Sequence, residues 1–205
     1  MVTNKSILII TVARSGSTTL ANSFHKSFKV FQEPLNHTNG LHPNPYDEKM
    51  WIDLIKSKDI VVKTGVFSKP IDIQYTETPY IESALDYFDH VILLDRKDNN
   101  LQKESWERII NAKKEDPSSI KWLYKAKFHL REISEKYNLK IHYYEDIYYG
   151  DSEKFLNEIG IDIDSVDLRF LDSKYKYEKG NIFHNNKLLK KIKLPKIIYR
   201  LFKKH

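Results

Sequence analysis

Arg14, Glu33, Lys63 and Arg96 each stand at the end of a short apolar run, and their side chains suit anion binding and proton transfer. Arg14 opens the stretch Ser15-Gly16-Ser17-Thr18-Thr19. At the start of a helix this stretch offers several hydroxyls and a run of backbone N–H groups, where orphan donors and the helix dipole favour an anion. Gly16 lets the backbone approach that anion closely. Arg96 supplies a planar fork for a phosphate dianion, and Ser105 a hydroxyl one or two turns along the next helix. Glu33, between Gln32 and Pro34, sits where ligands collect in open α/β sheets, beyond the carboxyl ends of strands. A carboxylate there can take the proton of an acceptor hydroxyl. His37 and His42, in the turn-rich stretch 36–46, are the alternative bases.

These side chains need strands that end at one edge and helices that carry the chain back. Residues 7–10 are a β-branched, apolar run fit for a fully buried strand, and residues 18–24 follow with Leu20, Ala21 and Phe24 on one helical face. Further strands are expected at 29–31, 59–65 and 90–95, with a last strand and its exit over 139–147. Helices are expected at 47–57, with Met50, Trp51, Leu54 and Ile55 on the apolar side, and at 80–88. Asp98 caps a helix that carries Ser105 and runs to residue 114, where Asp116-Pro117-Ser118-Ser119 breaks it. In the helix after that break, Trp122, Tyr124, Ala126, Phe128, Leu130, Ile133 and Tyr137 read as core. Strands alternating with helices imply an α/β fold with a central, mostly parallel sheet flanked by helices.

The bulk numbers narrow the function. At 205 residues the chain is long enough for one core. Residues 1–186 are expected to form the domain and residues 187–205 a basic amphipathic tail. The tail carries +8 with no acid, so the +6 of the whole chain becomes −2 over residues 1–186. A nucleic-acid face spread over the domain is therefore not expected. Contact of the tail with an anionic membrane is conceivable, but docking on the chain's own domain is the simpler expectation. No cysteine is present, which removes disulfides, thiolate metal sites and cysteine nucleophiles. No stretch has the apolar length of a membrane span, and a cytoplasmic location is expected. The abundance of Lys, Asn, Ile and Tyr suits an AT-rich genome such as a bacterial or viral one.

Thr11-Val12-Ala13-Arg14-Ser15-Gly16-Ser17-Thr18-Thr19-Leu20 resembles the loop with which sulfotransferases hold the 5′-phosphosulfate of PAPS (3′-phosphoadenosine 5′-phosphosulfate), with Ala13 where that loop commonly has proline. Arg96 followed by Ser105 resembles the family's 3′-phosphate motif, and Tyr144-Glu145-Asp146 its late Tyr-Glu-Asp signature. The resemblance implies a P-loop-like phosphosulfate site after the first strand and transfer of a sulfonate from PAPS to an acceptor hydroxyl or amine, leaving PAP, with no metal. By the same resemblance Arg14 and Ser15, Gly16, Ser17, Thr18 and Thr19 hold the donor, Arg96 and Ser105 take its 3′-phosphate, and Tyr144 touches the adenine. Glu33 is the base and Lys63 lies near the sulfonate. The acceptor stays open among small molecules, carbohydrates and peptides.

Two other functions fit parts of the pattern. A nucleotide kinase with a degenerate loop would use Asp95, at the end of the run Ile92-Leu93-Leu94, to organise Mg²⁺, although its loop would lack the usual lysine. A non-enzymatic module would bind a phosphorylated nucleotide without turnover.

Overall fold

The computed structural model describes residues 4–35, 46–73, 79–113 and 120–171, the last five of the third segment by backbone alone. His37, His42, the basic loop 175–181 and the tail 187–205 lie outside the described residues. The packing unit to which the described residues belong ends at Leu171.

Five strands, β1 (Ser6–Thr11), β2 (Lys29–Gln32), β3 (Ile60–Gly65), β4 (His90–Asp95) and β5 (Ile141–Tyr143), form one sheet in the order β2-β3-β1-β4-β5. Every pairing is parallel. All five carboxyl ends therefore lie at one edge, as the α/β pattern requires. β1 is central, and all six of its residues are buried. Its side chains alternate between two cores. Leu8 and Ile10 meet helix α2 (Glu48–Ile55), the 3₁₀ stretch Tyr80–Tyr87 and helix α4 (Ile120–Tyr137) through Trp51, Leu54, Ile81, Leu123 and Leu130. Ile7 and Ile9 meet helices α1 (Ser17–Ser23), α5 (Tyr144–Tyr148) and α6 (Ser152–Glu158) through Leu20, Phe24, Ile147, Phe155 and Leu156. Helix α3 (Asn99–Lys113) follows β4.

The chain leaves β1 toward β2 and β3 on one side, and leaves β4 toward β5 on the other. The direction of winding thus reverses between β1 and β4, the place where open α/β sheets leave a crevice beyond the strand ends. Arg14 follows β1 and Arg96 follows β4, so the two cations flank that reversal.

Several local expectations need correction. The segment Tyr80–Tyr87 is 3₁₀ rather than α, entered from Pro79. Met50 is exposed while Trp51, Leu54 and Ile55 are buried, so α2 has a narrower apolar face than expected. The larger correction falls on α4. Its buried stripe is Leu123, Ala126, Lys127, Leu130 and Ile133, whereas Trp122, Tyr124, Phe128 and Tyr137 are exposed. The helical period puts positions 123, 126, 127, 130 and 133 on one side, and it draws in a lysine while turning four aromatics outward. The expected last strand is β5, and its exit, the Tyr-Glu-Asp segment, is helical: β5 stops at Tyr143 and Tyr144 begins α5. No helix among the described residues is long and apolar enough to cross a membrane.

Candidate functional site

The loop after β1 is held before it is shaped. The Val12 amide donates to the Leu94 carbonyl, tying the loop to β4. The Ser15 side chain is fully buried and its hydroxyl is hydrogen-bonded to that of Thr11, so it braces the turn from inside. Arg14 (φ +67°) and Gly16 (φ +78°) are both left-handed. Left-handed residues flanking a turn rotate successive N–H groups toward one concavity, the arrangement of an anion-binding nest. Among the described residues no hydrogen bond engages the amides of Ser15, Gly16, Ser17 or Thr18; the first paired amides are those of Thr19 and Leu20, both donating to the Gly16 carbonyl. Ser17 is buried, Thr19 half-buried and Thr18 exposed.

Gly16 is required on a second count. A Cβ there would lie 2.7 Å from Cε2 of Tyr144 and 3.2 Å from Cε2 of Tyr148. The Tyr148 hydroxyl donates to the Gly16 carbonyl at 2.9 Å, so the two rings wall one side of the loop. They lie 4.5 Å apart between centroids. Burial raises the pKa of the Tyr144 phenol well above the usual tyrosine value, with the Tyr149 hydroxyl adding to the shift, and burial also raises that of Tyr148. Both stay neutral over the physiological range.

Arg14 and Arg96 converge from neighbouring strand ends. Arg14 Nε donates to Ser105 Oγ of α3 at 2.8 Å. The Arg96 guanidinium lies over the Tyr144 ring, 4.9 Å from its centroid. Partial burial, and then the Arg96 charge, lower the pKa of Arg14 from its ordinary value. Arginine keeps its proton regardless. Glu145 sets the backbone around Arg96: its carboxylate accepts from the Lys97 and Asp98 amides at 2.9 and 3.2 Å, with Oε1 3.5 Å from Arg96 Nε. Arg96 Nε itself is buried without a hydrogen-bond partner. Asp98 accepts from the Leu101 amide at 2.9 Å and so caps α3 as expected.

Glu33 and Lys63 form a second cluster at the same edge. Their side chains make an ion pair that is 13% and 9% exposed respectively, and the other Glu33 oxygen accepts from the Gly65 amide at 3.2 Å. The Glu33 amide still pairs with the Lys63 carbonyl, yet its φ is +54°, a left-handed conformation unusual for glutamate. Such strain costs on the order of 1–3 kcal/mol and concentrates at functional sites. Gly65 is level with Thr11 in the β1–β3 register, which puts this pair one strand away from the Arg14 loop.

Asp95 is occupied. Both its carboxylate oxygens accept from Lys127 Nζ at 2.8 Å, and Lys127 also donates to the Arg96 carbonyl at 3.0 Å. Among the described residues no group of three His, Asp or Glu side chains is placed to hold a metal ion. A cavity of about 450 Å³ lies beyond β5, between Lys97, His142, Tyr143, Asp146, Phe155 and Glu158; it includes neither arginine.

Sequence patterns missed three contributors. Lys127, which no sequence motif singles out, falls on the buried stripe of α4. Gln102, fully buried, donates to the Ala13 carbonyl at 2.8 Å. Tyr148 lay one helical turn beyond Tyr144, a spacing that would have flagged it once the segment was read as helix. No protein-family model matches the chain, and no curated protein matches it.

Proposed function

We propose that this chain is a PAPS-dependent sulfotransferase that moves a sulfonate to an acceptor hydroxyl or amine. The observation that carries this reading is the convergence of Arg14 and Arg96 at the reversal between β1 and β4, on a loop whose amides and glycine suit a phosphate. The residues fit such a donor on three counts: amides over Ser15–Thr18 with no hydrogen-bond partner among the described residues, a glycine whose Cβ position is taken by Tyr144, and an Arg96 Nε that is buried near Glu145 without a hydrogen bond. When bound, the donor supplies a sulfonate on a good leaving group.

The remaining work belongs to the chain. Arg14 stands next to the loop and neutralises charge that builds on the leaving phosphate oxygen, an electrostatic contribution that usually dominates group transfer. Arg96 and Ser105 meet the 3′-phosphate. Because Arg14 already donates to Ser105, it bridges the two anion positions instead of serving one alone. Glu33 takes the acceptor proton. Lys63 directs the Glu33 carboxylate through their ion pair. Tyr144 shapes the loop through Gly16 and carries Arg96; its contact with adenine is assigned by resemblance. The engagement of both Asp95 oxygens by Lys127 weighs against a kinase-like use of that carboxylate.

Calorimetric titration with PAP, beside AMP and Mg²⁺–ATP, tests the proposal without knowledge of the acceptor. Metal-independent PAP binding, with AMP weaker by at least about tenfold and Arg96→Ala weakened to a similar extent, is the expected result; charge-assisted hydrogen bonds to one phosphate are worth about 1.5–3 kcal/mol. Binding of Mg²⁺–ATP alone, or of none of the three, would overturn it.

A further inference from the structure

Gln102, Asp95 and Lys127 touch neither proposed phosphate position through their own charged ends, yet they join the two loops that do. Lys127 Nζ bonds both oxygens of Asp95 and the carbonyl of Arg96. Gln102 Nε2 donates to the carbonyl of Ala13, the peptide group that continues into Arg14, and lies 3.4 Å from Oδ1 of Asp95. One carboxylate thus receives both donors, and each donor also grips the backbone beside one of the two arginines. The three residues are 0%, 4% and 6% exposed for Gln102, Asp95 and Lys127.

Stability alone is a poor account of this arrangement. A buried ion pair is often matched or exceeded in stability by apolar residues of similar volume. Gln102 Oε1 is itself buried without a partner, so the residue carries a cost that methionine in its place would avoid. What apolar residues cannot do is hold two carbonyls at a fixed separation. That separation matters because Arg14 and Arg96 repel each other and would drift apart if their loops were free.

Resting on the donor site proposed above, we propose that Gln102, Asp95 and Lys127 are positioning residues that set the distance between the Arg14 and Arg96 guanidiniums, and so select a ligand bearing two anionic groups over one bearing a single anion.

Two apolar variants test this, Gln102→Met and the double replacement Asp95→Leu with Lys127→Met. Each is measured by urea unfolding, by calorimetric titration with PAP and with inorganic phosphate, and by amide exchange in the ligand-free protein. Expected for both variants is a cooperative urea transition, PAP affinity lower by about tenfold or more, and phosphate affinity within about twofold, since one anion does not read the spacing. Equal loss of PAP and phosphate affinity, or unchanged PAP affinity, overturns the proposal. Should the parent not bind PAP, the donor site itself fails, and exchange alone decides the bridge. The Val12, Lys97 and Asp98 amides, all hydrogen-bonded in the parent, then exchange about tenfold faster in both variants if the bridge holds the loops, and unchanged exchange refutes it.

Discussion

Replacing Gly16 with alanine tests the geometry of the loop more directly than removing any charge. The left-handed conformation at φ +78° costs an alanine about 1–2 kcal/mol. The new methyl would also meet the ring of Tyr144, 2.7 Å from Cε2, with Tyr148 next at 3.2 Å. Both rings are hemmed in, Tyr148 by its bond to the Gly16 carbonyl and Tyr144 by Arg96, so neither yields cheaply. Overpacking of this kind costs about 1–3 kcal/mol. The sum, about 2–5 kcal/mol, is a large part of a domain stability of about 5–15 kcal/mol. Urea unfolding of Gly16→Ala, of Tyr144→Ala and of the double variant separates the two contributions. With the ring gone, the alanine at 16 should cost only its backbone share, giving a coupling of about 1–3 kcal/mol between the sites. Strict additivity would refute the contact on which the shape of the loop depends, whatever ligand it holds.

Two further outcomes follow from named contacts. Glu33→Gln should leave PAP affinity within about threefold while PAP release from PAPS across a panel of acceptors falls about 10²–10⁴-fold, the usual share of a positioned base; unchanged release would remove Glu33 from the chemistry. At the opposite edge of the sheet, the Lys58 ammonium first and then Ser6 hold the Asp89 carboxyl down to about 2 from its ordinary 3.8. Because the folded value is the lower one, this carboxylate's contribution is complete above the ordinary value and is lost as pH falls from about 4 through about 2. The pair is well exposed, so solvent screening keeps the contribution to about 1 kcal/mol. Asp89→Asn should therefore destabilise at neutral pH by about that amount and flatten the acid limb of stability against pH, measured by urea unfolding between pH 2 and 7.

The strands were legible because each is a short apolar run ending in a polar residue, and parallel strands are buried on both faces. Their order was not, since nothing in 7–10 or 90–95 says which run lies beside which. The helix cap was readable at Asp98, whereas the 3₁₀ form of the helix after Pro79 was not. The misreading of α4 has a physical cause: aromatic residues were counted as core by type, whereas the helix faces the sheet with the stripe that includes Lys127. Arg96 and Ser105 were paired from the sequence, but the approach of Arg14 to them was not. The direct Arg14–Ser105 bond depends on α3 crossing in front of the loop. The bond between the Ser15 and Thr11 hydroxyls, which leaves the backbone amide of Ser15 as its group facing the loop, was also not legible. The left-handed backbone of Arg14 and Glu33 carries no sequence signal, because neither residue type favours it.

The central place of β1 also decides how this chain comes into being. Ser6–Thr11 precedes the other four strands of its sheet in the chain, but its two neighbours are β3 and β4, which end at Gly65 and Asp95. A ribosome adding about 5–20 residues per second needs about 4–17 s to pass from the end of β1 to the end of β4. Until β3 is complete the run Ser6-Ile7-Leu8-Ile9-Ile10-Thr11 has neither parallel partner, until β4 is complete it still lacks one, and it is the most apolar and β-prone hexamer among the strands. Nascent chains are thus most prone to self-association before residue 95 emerges, and variants that slow translation between residues 12 and 95 lower the soluble yield without altering any contact of the finished fold.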